Sequence, residues 1–255
     1  MCMKLTELVH FLYRRLEMSP FDGLDISLNG LQVGPREQEI RRVAVAVDAC
    51  MASFEAAAAI EADLLLVHHG LFWGRPLALS GAHYDRVKFL MDHGISLFAA
   101  HLPLDAHPEL GNNARMAKLL GIETLQPFGS WKGLNVGFRG ELPEACTSER
   151  LAGTLGFSLA DGLKILPFGP KEIRTVGIVS GGAADDVYVA LELGLDAFIT
   201  GECEHQVYHD CEEQGITMIC GGHYASEVFG VQAVAKMLHD ELGLETSFVA
   251  IPTAL

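Results

Sequence analysis

The sequence predicts an α/β protein of two similar domains related by internal duplication, with sheets covered by helices. Three observations predict it. First, short apolar, β-branched runs alternate with helix-like segments, the pattern of parallel sheet buried on both faces. Second, Arg41-Arg42-Val43-Ala44-Val45-Ala46-Val47 recurs as Arg174-Thr175-Val176-Gly177-Ile178-Val179-Ser180. At the same offset, which carries Asp63 onto Asp196, Ala62-Asp63-Leu64-Leu65-Leu66-Val67 meets Leu195-Asp196-Ala197-Phe198-Ile199-Thr200. Third, the runs beginning Gly94-Ile95 and Gly215-Ile216 are each followed by a histidine with a carboxylate four residues on, His101 with Asp105 and His223 with Glu227. Val- and Ile-rich strands match one another cheaply. The entry arginine, the Asp63/Asp196 pair, the Gly-Ile pair and the His-x-x-x-Asp/Glu element together favour duplication.

In chain order, residues 5–17 read as an amphipathic helix and 22–34, rich in Gly and Asn, as a loop. Helix-like segments at 51–61 and 184–193 join the paired strands of the two copies. Residues 82–93 and 112–120 read as helices, the second stopped by Gly121. A boundary is expected near 125–132, where Pro127, Gly129 and Gly133 cluster, giving domains 1–126 and 127–255. Beyond it come a strand at 135–141, a helix at 148–155 closed by Gly156, helices at 203–214 and 225–242 stopped by Gly215 and Gly243, and a final strand at 246–251.

The 255 residues are 49% hydrophobic and 20% charged, as in a compact soluble protein, and the net charge is −15. Such a surface repels nucleic-acid phosphates and anionic lipids over most of its area. The six cysteines form no C-x-x-C, so a zinc knuckle is not expected. No run approaches the length of a membrane span and the first residues lack a long apolar stretch, so a cytoplasmic setting is the expectation. There is no G-x-S-x-G, P-loop or intact G-x-G-x-x-G, which removes support for serine-hydrolase and nucleotide-fold readings.

In open α/β sheets, ligands gather beyond the carboxyl ends of the strands. His68-His69, His101, Glu202 and His223 all fall there. His68 and His69 are adjacent, so on a regular strand they point to opposite faces; at a strand end before Gly70 both rings can still reach one cavity. His223 and Glu227 share a face at the start of a helix, and Gly221-Gly222 before them implies a tight backbone. Taken singly, each of these motifs is equally an ordinary core or surface feature. Together they describe nitrogen and oxygen donors with no thiolate, suited to Zn, Fe, Mn, Co or Ni without choosing among them. His205 and His209 share a helix face near Glu202; His205 reads as a solvated residue. Asn29-Gly30-Leu31-Gln32-Val33-Gly34 reads equally as a recognition element or a structural turn.

Asn29-Gly30-Leu31-Gln32-Val33, His68-His69-Gly70, His101-Leu102-Pro103-Leu104-Asp105, Thr200-Gly201-Glu202 and Gly222-His223-Tyr224-Ala225-Ser226-Glu227, in order along the chain, resemble the GTP cyclohydrolase I type 2 family, also called Nif-three-like, in its short YbgI-like bacterial form. The resemblance implies two divalent metal ions per subunit, Zn, Fe or Mn. Their ligands would be His68, His69, Asp105, His223 and Glu227. By the same resemblance Glu227 bridges, His69 and Asp105 share one ion with it, and His68 and His223 share the other. His101, Glu202 and His209 are the candidates for proton transfer. A toroidal homohexamer is also implied, as is a small-molecule substrate, with a metal hydroxide attacking the C–N system of a purine nucleotide ring such as that of GTP. The competing readings are another two-metal hydrolase, acting on a phosphoester or amide, and a non-enzymatic ring-shaped metal-binding or interaction protein.

Overall fold

The computed structural model describes residues 2–255. Its strands are β1 (Met3–Lys4), β2 (Gly30–Val33), β3 (Glu39–Ile40), β4 (Arg42–Asp48), β5 (Leu64–His69), β6 (Ser96–Ala99), β7 (Gln126–Trp131), β8 (Leu134–Cys146), β9 (Lys164–Pro167), β10 (Ile173–Ile178), β11 (Ala197–Thr200), β12 (Thr217–Cys220) and β13 (Glu245–Phe248). Its helices are α1 (Leu5–Arg15), α2 (Met51–Ala59), α3 (Gly81–Asp92), α4 (Leu102–Ala106), α5 (Asn112–Leu119), α6 (Ser148–Thr154), α7 (Val187–Glu192), α8 (Tyr208–Gln214) and α9 (His223–Leu242). Two compact units divide the chain: Met1–Leu104 with Val231–Ile251, and Asp105–Gly230 with Pro252–Leu255.

The first unit holds a five-stranded sheet of order β13-β4-β5-β6-β2. β13, β4, β5 and β6 run parallel, and β2 closes the edge antiparallel to β6. Alternate residues explain the burial of a face: Ala44, Ala46, Leu65, Val67, Leu97 and Ala99 pack with Phe54 and Ala57 of α2 and Leu90 of α3. Asp63 fixes where β4 begins, since its Oδ2 accepts from the backbone N–H groups of Arg41 at 2.7 Å and Arg42 at 2.9 Å.

The second unit holds a six-stranded sheet of order β7-β8-β10-β11-β12-β9. Only β10, β11 and β12 are mutually parallel; β8 pairs antiparallel to β10, β7 to β8 and β9 to β12. Its core gathers Val176, Ile178, Ala197, Ile199 and Ile219 of the strands with Met116 of α5 and Leu151 of α6. Asp196 repeats the role of Asp63, its Oδ2 accepting from the N–H groups of Arg174 and Thr175, both at 2.9 Å.

The two units therefore carry the repeat that the sequence predicts, with local differences. The segment 22–34 is not all loop, because Gly30–Val33 is β2. The expected boundary at 125–132 is occupied by β7, a hairpin partner of β8. The units also do not follow one cut at 126/127. β13 hydrogen-bonds to β4, with Glu245 opposite Arg42 and Phe248 opposite Val45, so the end of the chain completes the first unit's sheet. The segment 203–214 enters through a 3₁₀ turn, His205–Val207, before α8. α9 begins two residues earlier than expected, at His223. Among the described residues no helix is long and apolar enough to cross a membrane.

Candidate metal centre

In the first unit, the carboxyl ends of three parallel strands bring polar groups into a core that is otherwise aliphatic. β4 ends at Asp48, β5 at His68-His69, and β6 is followed by His101. His68 is fully buried, and its Nδ1 lies 3.0 Å from the Ala100 carbonyl oxygen. A carbonyl only accepts, so Nδ1 carries the hydrogen and the lone pair sits on Nε2. His69 turns Nδ1 to Asp48 Oδ1 at 2.9 Å. His101 turns Nδ1 to both oxygens of Asp25, at 3.0 and 3.1 Å. In each case an acceptor commits Nδ1 and leaves Nε2 as the donor atom, the arrangement by which metal-binding imidazoles are oriented.

The three rings converge despite the strand alternation that separates His68 from His69. The His68 and His69 centroids are 4.7 Å apart, and His101 lies 5.1 Å from the first and 5.7 Å from the second. One ligand atom from each falls within 4.8 Å of the others. Trp73 borders the group, 5.8 Å from His69 and 5.0 Å from His101, anchored by its Nε1 donating to Gly70 O at 2.9 Å.

Asp25 is the main support of this half. Its side chain is 1% exposed. Besides His101 it accepts from the N–H groups of Ser27 and Leu102 and from Asn29 Nδ2, while Asn29 Oδ1 accepts from the His101 N–H. Burial favours the neutral acid, but these donors and the adjacent His101 outweigh it and hold the carboxyl at about 2. Asp25 and Asp48 are absent from the sequence expectations. Asp48 had a signal, a carboxylate at the end of a buried strand. Asp25 had none, because His101 and Leu102, which it serves, lie far along the chain.

In the second unit, the equivalent strand ends carry Ser180 after β10, Glu202 after β11 and His223 after β12. His223 Nδ1 lies 2.5 Å from Glu202 Oε1, and Nε2 lies 3.2 Å from Glu227 Oε1 one turn along α9. Burial opposes the charged imidazole, but hydrogen bonds and charge from Glu227 and Glu202 win and raise it to about 9. Glu227 is 3% exposed. Asp105 is also buried, its Oδ1 accepting from Ser180 Oγ at 2.9 Å and Asn112 Nδ2 at 2.8 Å. Asn113 ties the same loop down, accepting from the Ser180 N–H at 2.7 Å and donating to Val136 O at 2.8 Å.

Two glycines make room here. Gly222 has φ +98°, and an added Cβ would lie 2.1 Å from Asp161 O, which accounts for the tight entry into α9. Gly181 has φ +67°, and its Cβ would lie 2.4 Å from Glu227 Oε1 and 3.3 Å from His223 Nε2. The space in front of these two donors is thus kept clear by the lack of a side chain.

The expected ligands are distributed as follows. His68 and His69 join His101 in the first unit; His223 contacts Glu227, and Asp105 is buried on Ser180 and Asn112, in the second. Glu202 is bonded to His223. His209 is placed elsewhere, on α8 with a side chain 72% exposed and its Nδ1 3.6 Å from Glu212 Oε2. The donors are imidazole nitrogens and carboxylate oxygens, oriented by further hydrogen bonds and largely withdrawn from water. That chemistry fits a divalent cation, and these buried His, Asp and Glu groups can bind one.

The sequence matches the family model described as Duf34/NIF3 (NGG1p interacting factor 3) over residues 3–254. A Deinococcus radiodurans protein named GTP cyclohydrolase 1 type 2 homolog is 44% identical over 98% of this chain and 94% of its own length. One of the same name from Archaeoglobus fulgidus is 44% identical over 99% of this chain and 100% of its own. Among solved structures, TTHA1606 from Thermus thermophilus superposes with a TM-score of 0.88 at 39% identity, over 99% of this chain and 100% of that one. The ybgI protein, described as of unknown function, gives 0.89 at 34% identity over the same shares. On both the length of the match and the identity of these relatives, the chain belongs to the DUF34/NIF3 family of GTP cyclohydrolase 1 type 2 homologs.

Proposed function

We propose that the chain is a dinuclear-metal-dependent hydrolase acting on the C–N system of a purine nucleotide ring; its relatives are named GTP cyclohydrolase 1 type 2 homolog, and its buried His, Asp and Glu groups suit a metal ion. The observation that carries this reading is the shared orientation of the imidazoles. His68, His69 and His101 each commit Nδ1 to an acceptor and leave Nε2 as donor, while His223 sets Nε2 beside Glu227. In this proposal His68, His69, Asp105, His223 and Glu227 would hold two divalent ions. Bound there, such ions polarise an electrophile and lower the pKa of water.

The chain's own groups have separable tasks. Asp48 and Glu202 orient His69 and His223 through Nδ1. His101, whose Nδ1 hydrogen is held by Asp25, accepts or returns a proton at Nε2. Trp73 offers an aromatic face beside His69 and His101 on which a purine ring can lie. His209, exposed on α8, takes no part in these contacts. Self-association as a homohexamer belongs to the same proposal and is read by sedimentation velocity.

The test is incubation of protein loaded with Zn, Fe or Mn with GTP, following formate release and the nucleotide product. Formate release that disappears in Asp105→Ala supports the reading. Metal uptake without formate in any of the three forms overturns the purine ring-opening version. Turnover of a phosphoester or amide in its place transfers the assignment to a different two-metal hydrolase.

A further inference from the structure

We propose that Asn112 is a positioning residue that sets the carboxylates of Asp105 and Glu227 as one pair for a divalent cation, an inference that rests on the metal-site reading above. Both residues belong to the second unit and both are buried. One carboxylate oxygen of Asp105 lies within 4.8 Å of one of Glu227. Like charges that close, and out of water, repel, so the pair keeps its spacing only if other groups fix it. Asn112, the first residue of α5 and wholly buried, reaches both sides. Its Nδ2 donates to Asp105 Oδ1 at 2.8 Å, and its Oδ1 accepts from the Gly230 N–H of α9 at 2.7 Å. Gly230 lies three residues past Glu227, on nearly the same face of that helix. One amide thus runs from the first carboxylate to the helix turn that carries the second.

A carboxamide suits this task because it donates at one end and accepts at the other. A carboxylate or an aliphatic group of the same size serves at most one of the two partners. The surroundings leave the tie little freedom. The loop from Asp105 to α5 is pinned by buried His107, whose Nδ1 accepts from the N–H groups of Glu109 and Leu110, both at 3.1 Å. Gly230 lies inside α9, where an N–H ordinarily bonds to the carbonyl four residues back. An acceptor arriving there from α5 fixes the height and rotation of the helix at that turn. Ser180 Oγ donates to the same Asp105 oxygen at 2.9 Å, so Asp105 keeps one donor when Asn112 is removed. What goes is the connection to α9, and with it the fixed distance between the two carboxylates.

The experiment measures Zn affinity of the full chain by titration calorimetry, together with metal-free stability in urea, and is independent of turnover. Asn112→Ala is expected to weaken Zn binding by about 10–100-fold, as loss of a group that orients a metal ligand does. Asp196→Ala removes an acceptor at the amino end of β10, away from the ligands, and is expected to bind Zn as the parent does. Both variants lower the urea midpoint; only the first moves the affinity. In an Asp105→Ala background, Asn112→Ala is expected to cost several-fold less affinity than in the parent, because the pair it sets is already broken. Should Asn112→Ala not fold, Asn112→Ser, whose single oxygen is too short to reach both partners, carries the same expectations. Parental affinity in the Asn112 variant, a loss no larger than that of Asp196→Ala, or full additivity with Asp105→Ala overturns the proposal while the metal-site reading stands. A parent that takes up no Zn overturns that reading itself, and the proposal with it.

Discussion

Asp63 and Asp196 do the same work in their respective units: each turns one carboxylate oxygen onto two consecutive backbone N–H groups where a central strand begins. A single acceptor serving two donors is hard to replace, because Asn offers a weaker neutral oxygen and Ala none. Asp63→Ala and Asp196→Ala are each expected to cost about 1–3 kcal/mol, with the Asn variants losing less. Equilibrium urea unfolding followed by far-ultraviolet circular dichroism checks this. Alanine variants as stable as the parent would show that solvent satisfies those N–H groups equally well.

This pair also shows what was legible in the sequence. The internal repeat predicts that the two aspartates are equivalent, and the hydrogen bonds bear that out. The central parallel strands were readable because burial on both faces makes them continuous apolar runs. The edge strands β2, β7 and β9 were not. They are half-exposed and interrupted by Gly, Pro or polar residues, and β2 and β9 owe their existence to partners distant in the sequence. β13 was readable as a strand, but its place was not, because the β4 partner that puts it in the first unit lies near the other end of the chain. The candidate ligands were legible because imidazole and carboxylate side chains stand out at the ends of apolar strands. Their supports were not, since Asp25, Asn112 and Asn113 look like ordinary loop and helix-start residues until their acceptors and donors are in place.

Asp25 is expected to control His101. With its folded-state pKa near 2, below the ordinary 3.8, the carboxylate stabilises the fold above about pH 4, and that contribution is lost as pH falls toward 2. Asp25→Ala leaves the Ser27 and Leu102 N–H groups and His101 without their common acceptor, and about 2–3 kcal/mol of stability is expected to go with it. The acid limb of the stability curve should flatten in the same variant. Urea midpoints from pH 2 to 7 measure both; an unchanged acid limb removes Asp25 as its source.

Metal uptake should release protons. His223 is cationic below about pH 9 because Glu227 and Glu202 flank it, and a ligating imidazole must be neutral. In the metal-free protein the raised pKa stabilises the fold fully below about 6.5, and the contribution fades as pH rises through 9. Metal affinity changes in the opposite sense, strengthening as pH approaches 9. Titration calorimetry in two buffers of different ionisation heat counts the protons released. Glu202→Gln is expected to lower the count near pH 7 by weakening the hold on the imidazolium, and a count unchanged in that variant contradicts the assignment.

Gly181 provides the sharpest test of whether His223 and Glu227 ligate. A methyl group there would lie 2.4 Å from Glu227 Oε1 and 3.3 Å from His223 Nε2, on a backbone already at φ +67°. Gly181→Ala should therefore displace both donors and carry a backbone cost of about 1–3 kcal/mol. If an ion binds the native state at these atoms, excess Zn or Mn raises the parent's thermal midpoint by mass action, about 2.7 kcal/mol of stabilisation at a hundredfold excess over Kd. A chelator should reverse the shift, and Gly181→Ala should lose most of it while remaining folded without metal. Equal metal-induced shifts in parent and variant would place the ion away from Glu227 and His223.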